Sequence, residues 1–210
     1  MLLTSFYMGG NILDQNKIIT QVFTYWRSMC MEDRLPSRAD IIPADIKELL
    51  PFLLLADVGK LTATGAEINL RLTGTHIDRV LEVDLTGCPI GGFDRNWLDF
   101  VIGRDFLEAA EQRSAIMSIH ELRLTEKPYP KAIMRPGDKA HLRYQRLILP
   151  LSTDGQRVDM LLGALVADIH VDATYLWRNQ YSFKELSKQR LPVPHSLSCP
   201  QLQERAVKAV

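Results

Sequence analysis

Apolar residues near the start of the chain recur at helical spacing. Ile18, Ile19, Val22, Phe23, Tyr25, Trp26 and Met29 form one stripe, while Gln15, Lys17, Gln21 and Arg27 mostly fall elsewhere. The pattern predicts an amphipathic helix from about Asp14 to Met31. Its stripe is broad enough to pack on its own domain or on the same helix of a second copy, which makes Ile18, Val22, Trp26 and Met29 candidate dimerisation residues. Residues 1–13, with Gly9-Gly10, read as a flexible lead-in.

Prolines then punctuate the chain. Pro36 forces an extended Leu35, Pro43 suits the first turn of a helix, and Pro51 ends that helix at about Leu49. Phe52–Val58 is a continuous apolar run of strand length. After a turn carrying Gly59 and Gly65, Ile68, Leu70 and Leu72 alternate with Asn69, Arg71 and Thr73, so the two segments predict an antiparallel hairpin. Past Gly74 the period becomes helical again, first briefly with Ile77, Val80 and Leu81. A longer helix is then predicted from an Asp94 cap to about Arg113, with Trp97, Phe100, Val101, Arg104, Leu107 and Ala110 at helical spacing.

The remainder reads as strands. Ile116–Leu124 alternates, with Ile116, Ser118, His120, Leu122 and Leu124 sharing a face. Residues 126–140 hold Pro128, Pro130, Pro136 and Gly137 and predict a loop. Leu142–Leu151 and Val158–Ile169 are two strands joined through Thr153-Asp154-Gly155-Gln156, a hairpin signal, and the second is apolar on both faces over Met160–Ala167 and therefore central in its sheet. Past Asp172 the pattern weakens to an irregular or helical extension with a mobile end. The resulting map is a lead-in over 1–13, N-terminal helices over 14–50, a sheet domain over 51–171 and a C-terminal extension over 172–210.

Composition changes this picture little. A chain of 210 residues with 25 basic and 25 acidic side chains has no global field to favour nucleic acid, an anionic membrane or an acidic substrate. The basic residues Lys127, Lys131, Arg135, Lys139, Arg143 and Arg146 are proline-broken and read as solvated loop charge. Cys30, Cys88 and Cys199 are odd in number and lack metal-ligand spacing, so neither a disulfide framework nor a zinc site is expected. The opening residues do not resemble a secretory signal, and the longest apolar runs are too short to span a bilayer. The expected compartment is the cytoplasm, with no membrane contact.

Several phrases carry a family resemblance when taken together and in order. They are Trp26, Leu35-Pro36-Ser37-Arg38-Ala39-Asp40-Ile41, Pro43, Leu49-Leu50-Pro51, Asp57-Val58, Leu70-Arg71-Leu72-Thr73-Gly74-Thr75, Asp84-Leu85-Thr86-Gly87 and Arg146-Leu147-Ile148-Leu149-Pro150-Leu151-Ser152. Over roughly residues 20–170 the chain resembles the PAS domain, and in particular a bacterial subfamily of stand-alone PAS proteins. The resemblance implies an α+β fold, a five-stranded antiparallel sheet with helices on one face, here preceded by the N-terminal amphipathic helix. It implies a sensor or adaptor that holds a small ligand between sheet and helices and signals through a homodimer or a partner protein. The fold alone fixes neither the ligand nor a cofactor, and a ligand-free interaction module is the alternative.

Candidate chemistry is sparse. No Gly-x-Ser-x-Gly, Gly-x-Gly-x-x-Gly or phosphate-loop motif is present, so no catalytic residues are assigned and an enzyme is not expected. His120 shares a strand face with Ile116 and Leu122 and is either a ligand contact or a satisfied core histidine. Arg71 either pairs with Asp57 on the adjoining strand or meets an acidic ligand. In a PAS arrangement Trp97, Phe100 and Val101 would lie over the sheet, as plain core or as cavity lining. Tyr144 and Arg146 alternate together on one strand, where an ordinary strand surface competes with a role in orienting a polar ligand group. The candidate ligand residues are therefore Arg71, Trp97, Phe100, Val101, His120 and Tyr144. An enzyme acting on a small acidic substrate through Arg71 and His120 is the least favoured reading.

Overall fold

The computed structural model describes residues 16–31, 34–62, 65–81, 84–90, 103–124, 141–167, 181–191 and 193. Helix α1 spans Lys17–Met29 and is capped by Asn16, whose side chain accepts from the Ile18 amide at 2.9 Å. Short 3₁₀ turns at Arg38–Asp40, Pro43–Ile46 and Leu50–Phe52 replace the single proline-bracketed helix that the sequence predicts. Pro51 is admitted because it stands in the first turn of its 3₁₀ segment, where no amide donor is needed.

Among the described residues, seven strands build one antiparallel sheet. They are β1 (Leu53–Thr62), β2 (Gly65–Thr73), β3 (Pro89–Ile90), β4 (Ala115–Leu124), β5 (His141–Leu151), β6 (Met160–Ala167) and β7 (Tyr181–Leu191). Their order across the sheet is β3-β2-β1-β6-β5-β4-β7. The five expected strands form its centre, and β3 and β7 extend it on either side. Helices α2 (Thr75–Leu81) and α3 (Arg104–Gln112) lie in the connection between the two halves.

The strand β7 corrects the expectation of an irregular or helical segment past Asp172. It pairs with β4 from Ala115↔Leu191 to Leu124↔Tyr181, with a register shift between Ile119 and His120. Apolar alternation is missing from β7 for two reasons: the shift breaks its period, and its residues opposite Ile116 and Ser118 are Arg190 and Lys188. Those cations face acidic partners, as described below.

β6 is central, as its two-sided apolar pattern predicts, with Leu161 and Leu162 both buried. Gly163 is required there. A Cβ on it would stand 2.5 Å from Leu54 Cδ1 and 3.2 Å from Ile148 Cδ1. Helix α1 packs on β5 and β6, where the Trp26 indole Nε1 donates to the Pro150 carbonyl at 3.0 Å. Val22 and Trp26 are thus buried within their own domain, and Ile18 and Met29 are partly buried against the same core. Of the two surfaces open to the stripe, its own sheet is the one that covers it.

Candidate functional site

The register of the sheet carries one face from His120 and Ser118 on β4 to Tyr144 and Arg146 on β5 and to Lys188 on β7. Helix α3 lies over this face and contributes Asp105 from its first turn, followed by Phe106. The helix is amphipathic with a carboxylate on its buried side. Asp105 is buried together with Phe106, Ala109 and Ala110.

Among the described residues, four side chains from three strands converge on that carboxylate. Oδ2 accepts from Ser118 Oγ at 2.5 Å and from Arg146 Nη2 at 2.5 Å, and His120 Nε2 lies 3.3 Å away. Lys188 Nζ sits 2.9 Å from Oδ1. Lys188 also pairs with Glu108, one turn further along α3, and Arg190 Nη2 reaches Glu108 Oε1 at 3.0 Å. The Arg146 guanidinium lies 5.8 Å from the centre of the Phe106 ring, so α3 both stacks on and neutralises it.

Electrostatics follow from burial and partners. Burial alone would raise the pKa of Asp105, but the bond to His120, the charge of Arg146 and the Ser118 hydroxyl outweigh it and hold the carboxyl far below the usual carboxylate range. Burial lowers the His120 pKa, with the Arg146 charge acting in the same direction and Asp105 only partly opposing them, so the imidazole is neutral at pH 7. Its Nε2 lies between the Asp105 carboxylate and Arg146 Nη2, 3.4 Å away. Burial pushes the Tyr144 hydroxyl well above its ordinary value, so it stays protonated. The Tyr144 ring lies tilted against that of His120, with centroids 5.0 Å apart, yet its hydroxyl, on a residue only 5% exposed, has no hydrogen-bond partner among the described residues.

A carboxylate saturated in this way cannot take up a proton near neutrality. Asp105 is an electrostatic anchor between α3 and the sheet, not a general base. Among the described residues no three histidine, cysteine, aspartate or glutamate side chains gather to hold a metal ion.

The sequence-predicted residues separate accordingly. His120 and Tyr144 come together, and both are buried. Tyr144 and Arg146 are not ordinary strand surface, because α3 covers them. Arg71 is the extra residue at a register shift between Leu72, opposite Leu55, and Leu70, opposite Ala56, and its partner Asp57 belongs to the face away from His120. It pairs at 3.3 Å with Asp57, and the two side chains are 62% and 46% exposed. Trp97, Phe100 and Val101 lie outside the described residues. Asp105, Ser118 and Lys188 were missed by pattern reasoning. A carboxylate on the apolar side of a helical stretch that ends in Phe106, Ala109 and Ala110 was the available signal.

Among the described residues no helix is long and apolar enough to cross a membrane. The family model described as PAS domain matches residues 15–166. No curated protein and no solved structure gives a match.

Proposed function

The chain belongs to the PAS domain family, whose members serve as sensory or interaction modules, and from that premise we propose that it senses a small ligand beneath α3, beside Tyr144 and His120. The observation that carries this reading is the Tyr144 hydroxyl, buried and protonated with no partner among the described residues. An orphaned buried hydroxyl costs about 1–3 kcal/mol, and a ligand polar group seated there would recover it. Trp97, Phe100 and Val101 stay in the proposed lining on their sequence spacing alone. Arg71 is left out, because its partner is Asp57 at the surface.

Output in this reading passes through α3, the element bonded to the site, to a partner protein or a second copy in the cytoplasm. No catalytic step is assigned. A second reading, a ligand-free interaction module, is favoured by one observation: Asp105 itself occupies the donors of Ser118, Arg146 and Lys188.

Mass spectrometry of the denatured, purified full chain separates the two. Sensing predicts a small molecule released from wild type and depleted from Tyr144→Phe. If nothing is released, and Tyr144→Phe is as stable as wild type or more so, the interaction module stands instead.

A further inference from the structure

We infer, building on the sensory reading above, that the ligand carries a carboxylate and that Asp105 is its internal substitute. Among the described residues, every side chain bonded to the Asp105 carboxylate belongs to the sheet: Ser118 and His120 to β4, Arg146 to β5 and Lys188 to β7. Helix α3 contributes only the acceptor. The sheet therefore holds a complete carboxylate site, and the helix fills it.

Exchange of one carboxylate for another leaves the charge beside Arg146 and Lys188 unchanged, so the swap avoids the uncompensated buried cation that simple withdrawal of α3 would create. The Tyr144 hydroxyl adds selectivity. Tyr144 lies two residues from Arg146 on the same face of β5 and offers a donor that Asp105 does not use. A ligand bearing a carboxylate and a second hydrogen-bonding group would satisfy both, whereas Asp105 satisfies only the first. Once displaced, Asp105 releases the first turn of α3, and Glu108 keeps the helix tethered through Lys188 and Arg190. The signal is then a tilt of α3 about that tether.

Asp105→Ala empties the site for a small probe. In the full-length variant, sodium acetate should raise the melting temperature above that in sodium chloride of equal ionic strength, by about 3–6 °C at ten times its dissociation constant. Adding Arg146→Met should abolish that gain. Equal melting in the two salts overturns the inference. If Asp105→Ala does not fold, the wild type decides the matter through hydrogen exchange: faster exchange of the α3 amides in acetate than in chloride supports it, and equal rates overturn it. A released ligand without a carboxylate would also overturn it while leaving the sensory reading intact, whereas no released ligand and a silent Tyr144→Phe would remove that reading itself.

Discussion

The Arg146 guanidinium lies 2.5 Å from the Asp105 carboxylate, and each side chain is only 2% exposed. Removing either partner leaves a charge in a poor solvent, but not equally. Without Arg146, Asp105 keeps Lys188 at 2.9 Å and the Ser118 hydroxyl. Without Asp105, Lys188 keeps Glu108, but the buried Arg146 guanidinium loses the carboxylate it lies against. Asp105→Ala is therefore expected to cost about 3–5 kcal/mol and Arg146→Met clearly less. Urea denaturation of the two variants checks the order, and an Asp105→Ala within 1 kcal/mol of wild type would contradict the role of the pair.

The same cluster sets an acid limb of stability. His120 has a lowered folded pKa, so the unfolded chain binds the extra proton first, and stability falls as pH drops below about 6.5. Asp105 is depressed instead. Its contribution is complete above the unfolded value near 4 and is lost as pH falls further. Facing His120 are Asp105, Arg146, Tyr144 and, from β7, Glu185. The prediction is that His120→Gln flattens the difference in unfolding free energy between pH 7 and pH 5, leaving the limb below pH 4 in place. An unchanged slope between pH 5 and 7 would assign that limb to another group.

Much of this domain is legible in the amino-acid sequence alone. The α1 stripe, the β1–β2 hairpin, the Asp154-Gly155 connection and the two-sided β6 all follow periods that burial imposes. The site was less legible for the converse reason. Hydrophobic periodicity finds surfaces that avoid water, whereas Asp105 and Arg146 are buried by pairing with each other, with the half-buried Lys188 on the same carboxylate, across elements 41 residues or more apart in the chain. Read alone, each is an ordinary charged residue. The strand β7 was missed on the same account, since Lys188 and Arg190 take positions that an apolar pair would usually mark.

Backbone crowding at the centre of the sheet gives a sharper test of packing. Gly163→Ala would place a methyl 2.5 Å from Leu54 Cδ1 and 2.7 Å from Leu54 Cγ. Overpacking of this kind costs about 1–3 kcal/mol. Because Leu54 is the obstacle, Leu54→Val should recover part of that loss in the double variant while destabilising the wild-type background. Additive free energies in that cycle would show that the two positions do not compete for the same space.

The N-terminal helix is expected to respond as core and not as an interface. Val22 and Trp26 are buried in their own domain, and the Trp26 indole is tied to Pro150. Val22→Glu should then unfold the chain instead of changing its mass in solution. Trp26→Phe, which loses the 3.0 Å bond and part of the ring, should cost about 1–3 kcal/mol. A Val22→Glu protein that melts like wild type while light scattering reports a smaller particle would return the stripe to a second copy.

Arg71 provides the contrasting case, because the sequence places it between the same apolar neighbours that make a buried role attractive. A register shift leaves it without a register partner on β1, its side chain reaches Asp57 on the face away from His120, and that pair is largely in water. Screening and side-chain entropy leave such a pair about 0–1 kcal/mol. Arg71→Ala is therefore expected to shift stability within that range, to lose even that at high salt, and to leave untouched any ligand recovered from the purified chain. Loss of the ligand from Arg71→Ala, with melting unchanged, would move the binding site to the other face of the sheet and away from Tyr144.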